Sequence, residues 1–88
     1  MQEKDWVELL KDEGFSDVYI WEDKPDFEYP EHTHEKHTVH IIISGEMELL
    51  DSKGSKRCLK AGERFDIPAG TSHSAKMGAA GCRYVVGE

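Results

Sequence analysis

Four of the chain's five histidines, His32, His34, His37 and His40, crowd into one short stretch, and the fifth, His73, lies far downstream. Neutral imidazole is a ligand for Zn, Fe, Ni and Cu, so a cluster of this kind raises metal chemistry first. On an extended strand, residues two apart point to the same face about 7 Å apart along the chain. His32 and His34 can therefore lean toward one point, which an adjacent pair cannot do. The same parity places Thr38, His40 and Ile42 on a common face of the strand that follows. The intervening segment 35–37 is short enough for a hairpin. With Thr38 across from His34, His40 falls across from His32, and three imidazoles face the same space. His73 follows the turn Pro68-Ala69-Gly70-Thr71-Ser72, a stiff connection that sets where its strand begins. Two ligands from one strand and one from a distant strand make a common metal-site arrangement.

These residues need a frame, and the turn chemistry of the chain supplies one. Trp6, Leu9 and Leu10 sit at helical spacing and Gly14 follows as a stop, which predicts a short amphipathic helix over 3–13. A helix of that length is unstable alone and must pack on something. Val18-Tyr19-Ile20-Trp21 is β-branched and aromatic, a strand ended by Glu22-Asp23-Lys24-Pro25. Further strands are predicted at 27–34, 38–44, 46–51, 56–60, 64–67, 72–77 and 82–86, with breaks at Gly45 and at Gly78 to Gly81 among others. Even spacing with little helix predicts a mostly β, antiparallel sandwich or barrel. Gly45 falls at a corner between strands, where a positive φ or a close backbone approach is expected. The run Thr38 to Ile43 is largely apolar on both faces, so it is covered twice, once by the barrel interior and once by another sheet, the helix or a second subunit. Trp21, Phe27, Tyr29, Phe65 and Tyr84 read as core or barrel-wall residues. The organisation is one domain, with an N-terminal helix in 1–16 packing on a barrel at 17–88.

Charge and composition narrow the partners. The chain has 88 residues and a formal net charge of −7, a field that repels nucleic acid and anionic membranes. Its longest strongly apolar run, Val39 to Ile43, is broken by His40, and no membrane span is expected. The opening Met1-Gln2-Glu3-Lys4-Asp5 is charged, with no apolar stretch behind it, so no signal peptide is read there. Cys58 and Cys82 form no CxxC pair and read as reduced thiols, which makes the cytoplasm the expected location.

At the level of motifs the chain resembles the cupin superfamily, and within it a small single-domain cupin of the conserved-barrel type. His32-Thr33-His34 followed by Gly45 keeps the spacing of the first cupin motif from its HXH pair to its final glycine. Gly62, Pro68, Gly70 and His73 satisfy the second motif through its histidine. Three positions depart from the pattern: Asp26 replaces the opening glycine, Thr38 the glutamate ligand, and Met77 the closing asparagine. The resemblance implies a small antiparallel jelly-roll β-barrel and a metal site. With the glutamate gone, either the site has three histidines or another residue fills the place. His40 is the preferred substitute because its parity is inward, and His37 is the lesser choice because parity turns it outward.

The expected function is a metal-binding barrel in which His32, His34, His40 and His73 hold one divalent transition metal, Zn, Fe, Ni, Cu or Mn. Open coordination positions would suit oxygenase, isomerase or hydrolytic chemistry on a small molecule. The alternative is a non-catalytic barrel that binds or senses a small molecule, with or without metal. Arg64, Arg83 and Tyr84 are further candidates for substrate contact. A homodimer is expected, since a two-faced strand and a loose helix leave apolar surface uncovered.

Overall fold

Two long strands carry the architecture of this computed structural model, which describes residues 3–88. Met1 and Gln2, the first residues of segment 1–16 and of the stretch read for a leader, lie outside the described residues. After helix α1 (Glu3–Asp12) come strands β1 (Val18–Asp23), β2 (Glu28–Thr33), β3 (Thr38–Asp51), β4 (Lys56–Lys60), β5 (Arg64–Ile67) and β6 (Ser72–Gly87). All strand pairs are antiparallel. The fold is mostly β, a jelly roll with one short helix, as the sequence predicts.

β3 and β6 pair with each other along most of their length, from Val39↔Gly87 to Asp51↔His73. The sequence reading divided each of them in two, at Gly45 and at Gly78 to Gly81. Both strands instead run through these glycines and bend there. Gly45 has φ +80°, and a Cβ on it would overlap the carbonyl oxygen of Gly81. Gly81 has φ +77°, and its Cβ would stand 2.6 Å from the Asp23 carbonyl oxygen. The register slips on either side of Gly45, between Ile42 and Ser44 and between Gly45 and Met47. Bulges and glycines of this kind bend a strand sharply without ending its ladder.

The bend divides the sheet into two half-sheets that face each other. In the first, β1 pairs with residues 82–87 of β6, which pair with the start of β3, which pairs with β5. In the second, β2 pairs with the start of β6, which pairs with residues 47–51 of β3, and this part of β3 pairs with β4. Inward side chains from both halves meet in one cluster of Ile42, Met47, Leu49, Leu59, Met77, Cys82, Tyr84 and Val86. Hydrogen bonding does not close the barrel, and β1, β2, β4 and β5 each keep a free edge.

The outer face of the first half-sheet is sealed by α1, which answers why residues 38–43 are apolar on both sides. Leu10, fully buried, packs with Val39, Ile41 and Val85, flanked by Trp6, Val7, Phe15, Val18 and Ile20. The helix ends at its expected glycine: Gly14, with φ +101°, donates its N–H to the Lys11 carbonyl while Phe15 N–H reaches the Leu10 carbonyl. These are the paired bonds of a Schellman C-cap. Arg64 grips Glu13 with two hydrogen bonds of 2.7 Å, and Arg83 grips Glu3 at 2.7 and 3.1 Å. Both arginines, expected as possible substrate contacts, are instead clamps between the outer sheet surface and the helix.

One pairing differs from the sequence reading in a way that matters for the site. β2 does not form a hairpin with β3; it pairs with β6, which sets His32 opposite His73. Residues 34–37 cross from one half-sheet to the other. His40 accordingly lies opposite Val86 and Phe65, not opposite His32.

Candidate metal centre

The geometry of the histidines begins with a proline. Pro30 has no N–H for the ladder, and the β2–β6 register slips between Tyr29 and His32, where it stands. Its carbonyl accepts a hydrogen bond of 2.8 Å from His32 Nδ1. A carbonyl only accepts, so His32 Nδ1 carries the proton and its neutral ring presents a lone pair at Nε2. Sequence reasoning passed over Pro30, although a proline within a strand is itself a signal for a bulge.

His34 is oriented by the residue that replaces the motif's glutamate. Thr38 Oγ1 donates to the Lys36 carbonyl at 3.2 Å and lies 3.3 Å from His34 Nδ1. With its single proton committed, Thr38 accepts from His34 Nδ1, which leaves Nε2 of that ring unprotonated too. The His34 carbonyl in turn accepts from Gly70 N–H at 2.8 Å, tying the crossing segment to the turn that precedes His73. Thus the Pro68-Ala69-Gly70 turn positions two histidines, one through its backbone and one through the strand it starts.

The result is a compact triad. The ring centroids of His32, His34 and His73 are each 4.7 Å from the other two, with the His34 and His73 rings stacked at 11°. One nitrogen from each ring lies within 4.8 Å of the others. His32 Nε2 and His34 Nε2 face each other at 3.0 Å, each with a lone pair and no proton of its own. Two neutral nitrogens in that relation repel unless a cation or a shared proton lies between them. Nitrogens about 2.1 Å from one metal ion, at a cis angle of about 90°, stand about 3.0 Å apart. His73 Nδ1 is buried without a hydrogen-bond partner. The donor set fits a transition-metal ion.

Burial keeps this centre neutral. His73 is only 5% exposed, and burial, helped by the neighbouring His34 and His32, lowers its pKa to about 4. His34 is lowered for the same reasons, burial first and His32 second. Neutral imidazole is the form that ligates.

The remaining histidines are placed apart. His40 lines the same cavity, but its nitrogens are outside the mutually close set formed by the triad. Its ring meets Tyr84 edge-on at 5.2 Å, its Nδ1 is buried without a partner, and burial lowers its pKa to about 4. His37 faces away, hydrogen-bonded to Asp66 at 3.0 Å and edge-on to Phe15.

A cavity of about 480 Å³ opens beside the triad, within the usual range for a small-molecule site. Trp21, Tyr29 and Tyr84, read from sequence as core or wall, also line this space, whereas Phe27 and Phe65 pack against the core and do not line it. Behind the three aromatics stands Asp23, a buried carboxylate that the sequence reading placed only in the break Glu22-Asp23-Lys24-Pro25 after the first strand. It accepts from Trp21 Nε1 at 3.0 Å, from Tyr29 at 2.8 Å and from Tyr84 at 2.7 Å. Burial and this carboxylate raise the Tyr84 hydroxyl well above its ordinary range, and they raise the nearby Cys82 thiol to about 12. No sequence signal singles Asp23 out, because its three donors come from β1, β2 and β6.

Comparison with known proteins agrees with this architecture. A cupin-2 domain protein from Shewanella frigidimarina superposes with a TM-score of 0.70 at 24% identity, over 81% of this chain and 67% of that one. The DMSP lyase DddQ from Ruegeria pomeroyi superposes with a TM-score of 0.71 at 25% identity, over 78% of this chain; the matched part spans 35% of the lyase. A DUF861 family protein from Thermotoga maritima matches 97% of this chain and 90% of its own length, at 20% identity and a TM-score of 0.69. No curated protein matches the chain. The family model of the AraC-like ligand binding domain matches residues 16–86, the whole β portion but Gly87, and the chain therefore belongs to that family of cupin-type domains.

Proposed function

We propose that this chain binds one divalent transition metal through His32, His34 and His73 and holds a small molecule beside it in the adjoining cavity. The observation that carries this reading is the approach of two proton-free Nε2 atoms at 3.0 Å, each fixed in that tautomer by its own Nδ1 partner. A metal held there supplies Lewis acidity and open positions for water, dioxygen or an oxygen-bearing ligand. Pro30 and Thr38 fix the two ring orientations, and burial of His34 and His73 keeps them neutral. His40, neutral and with an unpartnered Nδ1, is the reserve donor for a fourth position. Oxygenase or isomerase chemistry is the catalytic form of this proposal.

A non-catalytic role is the second reading, and the family match favours it, since that family is described as ligand binding. We also propose a cytoplasmic location, supported by the two free cysteines Cys58 and Cys82. Among the described residues no helix is long and apolar enough to cross a membrane. We also propose a homodimer, supported by Leu9 of α1, a large apolar side chain that remains exposed.

Elemental analysis of untagged protein tests the metal directly. Near-stoichiometric metal that is lost in His32→Ala and His73→Ala is the expected result. Retention of metal in His40→Ala would define a three-histidine site, and its loss would make His40 the fourth ligand. Failure of the wild-type protein to take up Zn, Fe, Ni, Cu or Mn on reconstitution would overturn the metal reading and leave the binding barrel. Light scattering that reports a monomer would remove the dimer.

A further inference from the structure

One wall of the cavity is lined by aromatic side chains whose polar hydrogens are all committed. Four aromatic side chains with polar hydrogens line it, and each gives its hydrogen to a carboxylate. Tyr19 donates to Glu88 at 3.2 Å, while Trp21, Tyr29 and Tyr84 donate to Asp23. What the tyrosines still offer to the cavity is oxygen lone pairs and ring surface. The charged side chains along the cavity are Asp17 and Glu88, both acidic. Among the described residues no lysine or arginine lines it, and Arg64 and Arg83 are committed to α1 on the outer surface. The rest of the wall is apolar, including Met47, Met77 and Val86.

Such a surface discriminates by charge. Along this wall a carboxylate or phosphate would meet lone pairs and acidic side chains with no donor to answer it. An ammonium-type group would meet acceptors, aromatic rings and three carboxylates, counting Asp23 behind the rings. A cation gains about 1 kcal/mol against exposed rings such as Trp21 and about 2 kcal/mol against buried ones such as Tyr84, or roughly 5- to 30-fold in affinity.

We propose that the cavity takes a small organic cation, a molecule with an ammonium or quaternary ammonium group seated against Tyr19, Trp21, Tyr29 and Tyr84. Its opposite end reaches toward the histidines, where a positive group would be repelled by the metal. This assignment rests on the cavity being the ligand site, as proposed above, and it names the chemical class of that ligand.

Calorimetry with a matched set of probes tests it: choline, its uncharged carbon isostere dimethylbutanol, and the dimethylbutyrate anion. Each is titrated into the zinc-loaded and the metal-free protein, and zinc content is measured on the same samples. Choline is expected to bind at least about tenfold tighter than the neutral isostere, and in the metal-free protein the anion is expected to be weakest. Asp23→Asn is expected to reduce that preference by about tenfold. Because Asp23 is buried, Asp17→Asn, at an exposed position, provides a second variant that keeps the fold and lowers the preference less. Equal or tighter binding of the isostere, or of the anion to the metal-free protein, or no binding of choline, would overturn the assignment. Zinc bound without a preference for choline defeats this inference alone. A preference for choline in a protein that takes up no zinc defeats only the metal reading.

Discussion

The two halves of β3 belong to one continuous strand but are buried by different rules. Thr38, Val39, Ile41 and Ile42 are all buried, whereas from Glu46 to Leu50 exposed or half-buried residues alternate with buried Met47 and Leu49. The cause lies outside the strand. The first half has the cavity and core on one side and α1 on the other; the second half has the core on one side and water on the other. Glu46 and Glu48 can therefore stand outward opposite Lys60 and Cys58, positions that would be costly beneath the helix. The comparison teaches that a strand's pattern reports its neighbours, and that the bend at Gly45 is what lets one strand serve two environments.

The largest effect should come from the bend. Gly45→Ala combines a positive φ with overlap on Gly81, and no flexible side chain is available to yield. We expect a loss of more than about 4 kcal/mol, or failure to fold, in chemical denaturation. A variant that folds normally would show that the two halves do not depend on that corner.

The helix-covered half should be more sensitive to truncation than the open one. Leu10→Ala should cost about 2–5 kcal/mol, because Leu10 is wholly enclosed between α1 and the sheet. Leu50→Ala, on the exposed face of the open half, should lie within about 0.5 kcal/mol of wild type. Similar losses at both positions would contradict the contrast drawn here.

Acid distinguishes the interior from both outer faces. His40 and His73 have folded pKa values of about 4, below the ordinary 6.5, so the unfolded chain binds protons first as pH falls. The stability of the metal-free protein that comes from keeping them neutral is intact above pH 6.5. It is lost progressively between 6.5 and about 4. For His40, whose ring packs edge-on against Tyr84, this amounts to about 2–3 kcal/mol. His40→Leu should flatten the melting temperature against pH in that window; an unchanged slope would place the acid sensitivity elsewhere.

The smallest effect is expected at the helix clamp. Arg64→Ala removes both bonds to Glu13 but leaves the apolar contacts of α1, and a partly exposed pair of this kind is worth less than about 1 kcal/mol. A larger loss would mean that the clamp, rather than Leu10, holds the helix to its half-sheet.

Much of this was legible in the residues. The helix and its glycine stop, the β elements, the inward parity of His40, the outward turn of His37 and the corner at Gly45 follow from local periodicity and turn chemistry. Asp26 is instructive: it replaces the motif's glycine and adopts φ +59°, a left-handed conformation that aspartate tolerates better than most residues. Short loops favour adjacent pairing and so suggest a hairpin between β2 and β3, whereas here β6 offers β2 its edge and residues 34–37 cross between half-sheets.

By itself the sequence determined which residues could ligate, since imidazole chemistry and strand parity are local properties. It also determined where the chain had to bend, because backbone torsion is set residue by residue. Only the tertiary structure decided which histidines meet. The pairing of β2 with β6 brings His73 to His32 and leaves His40 beside Tyr84, and register between distant strands is a global outcome of packing. The same holds for Asp23, whose three donors arrive from three strands: a buried carboxylate is recognisable only once the partners that satisfy it have been brought together.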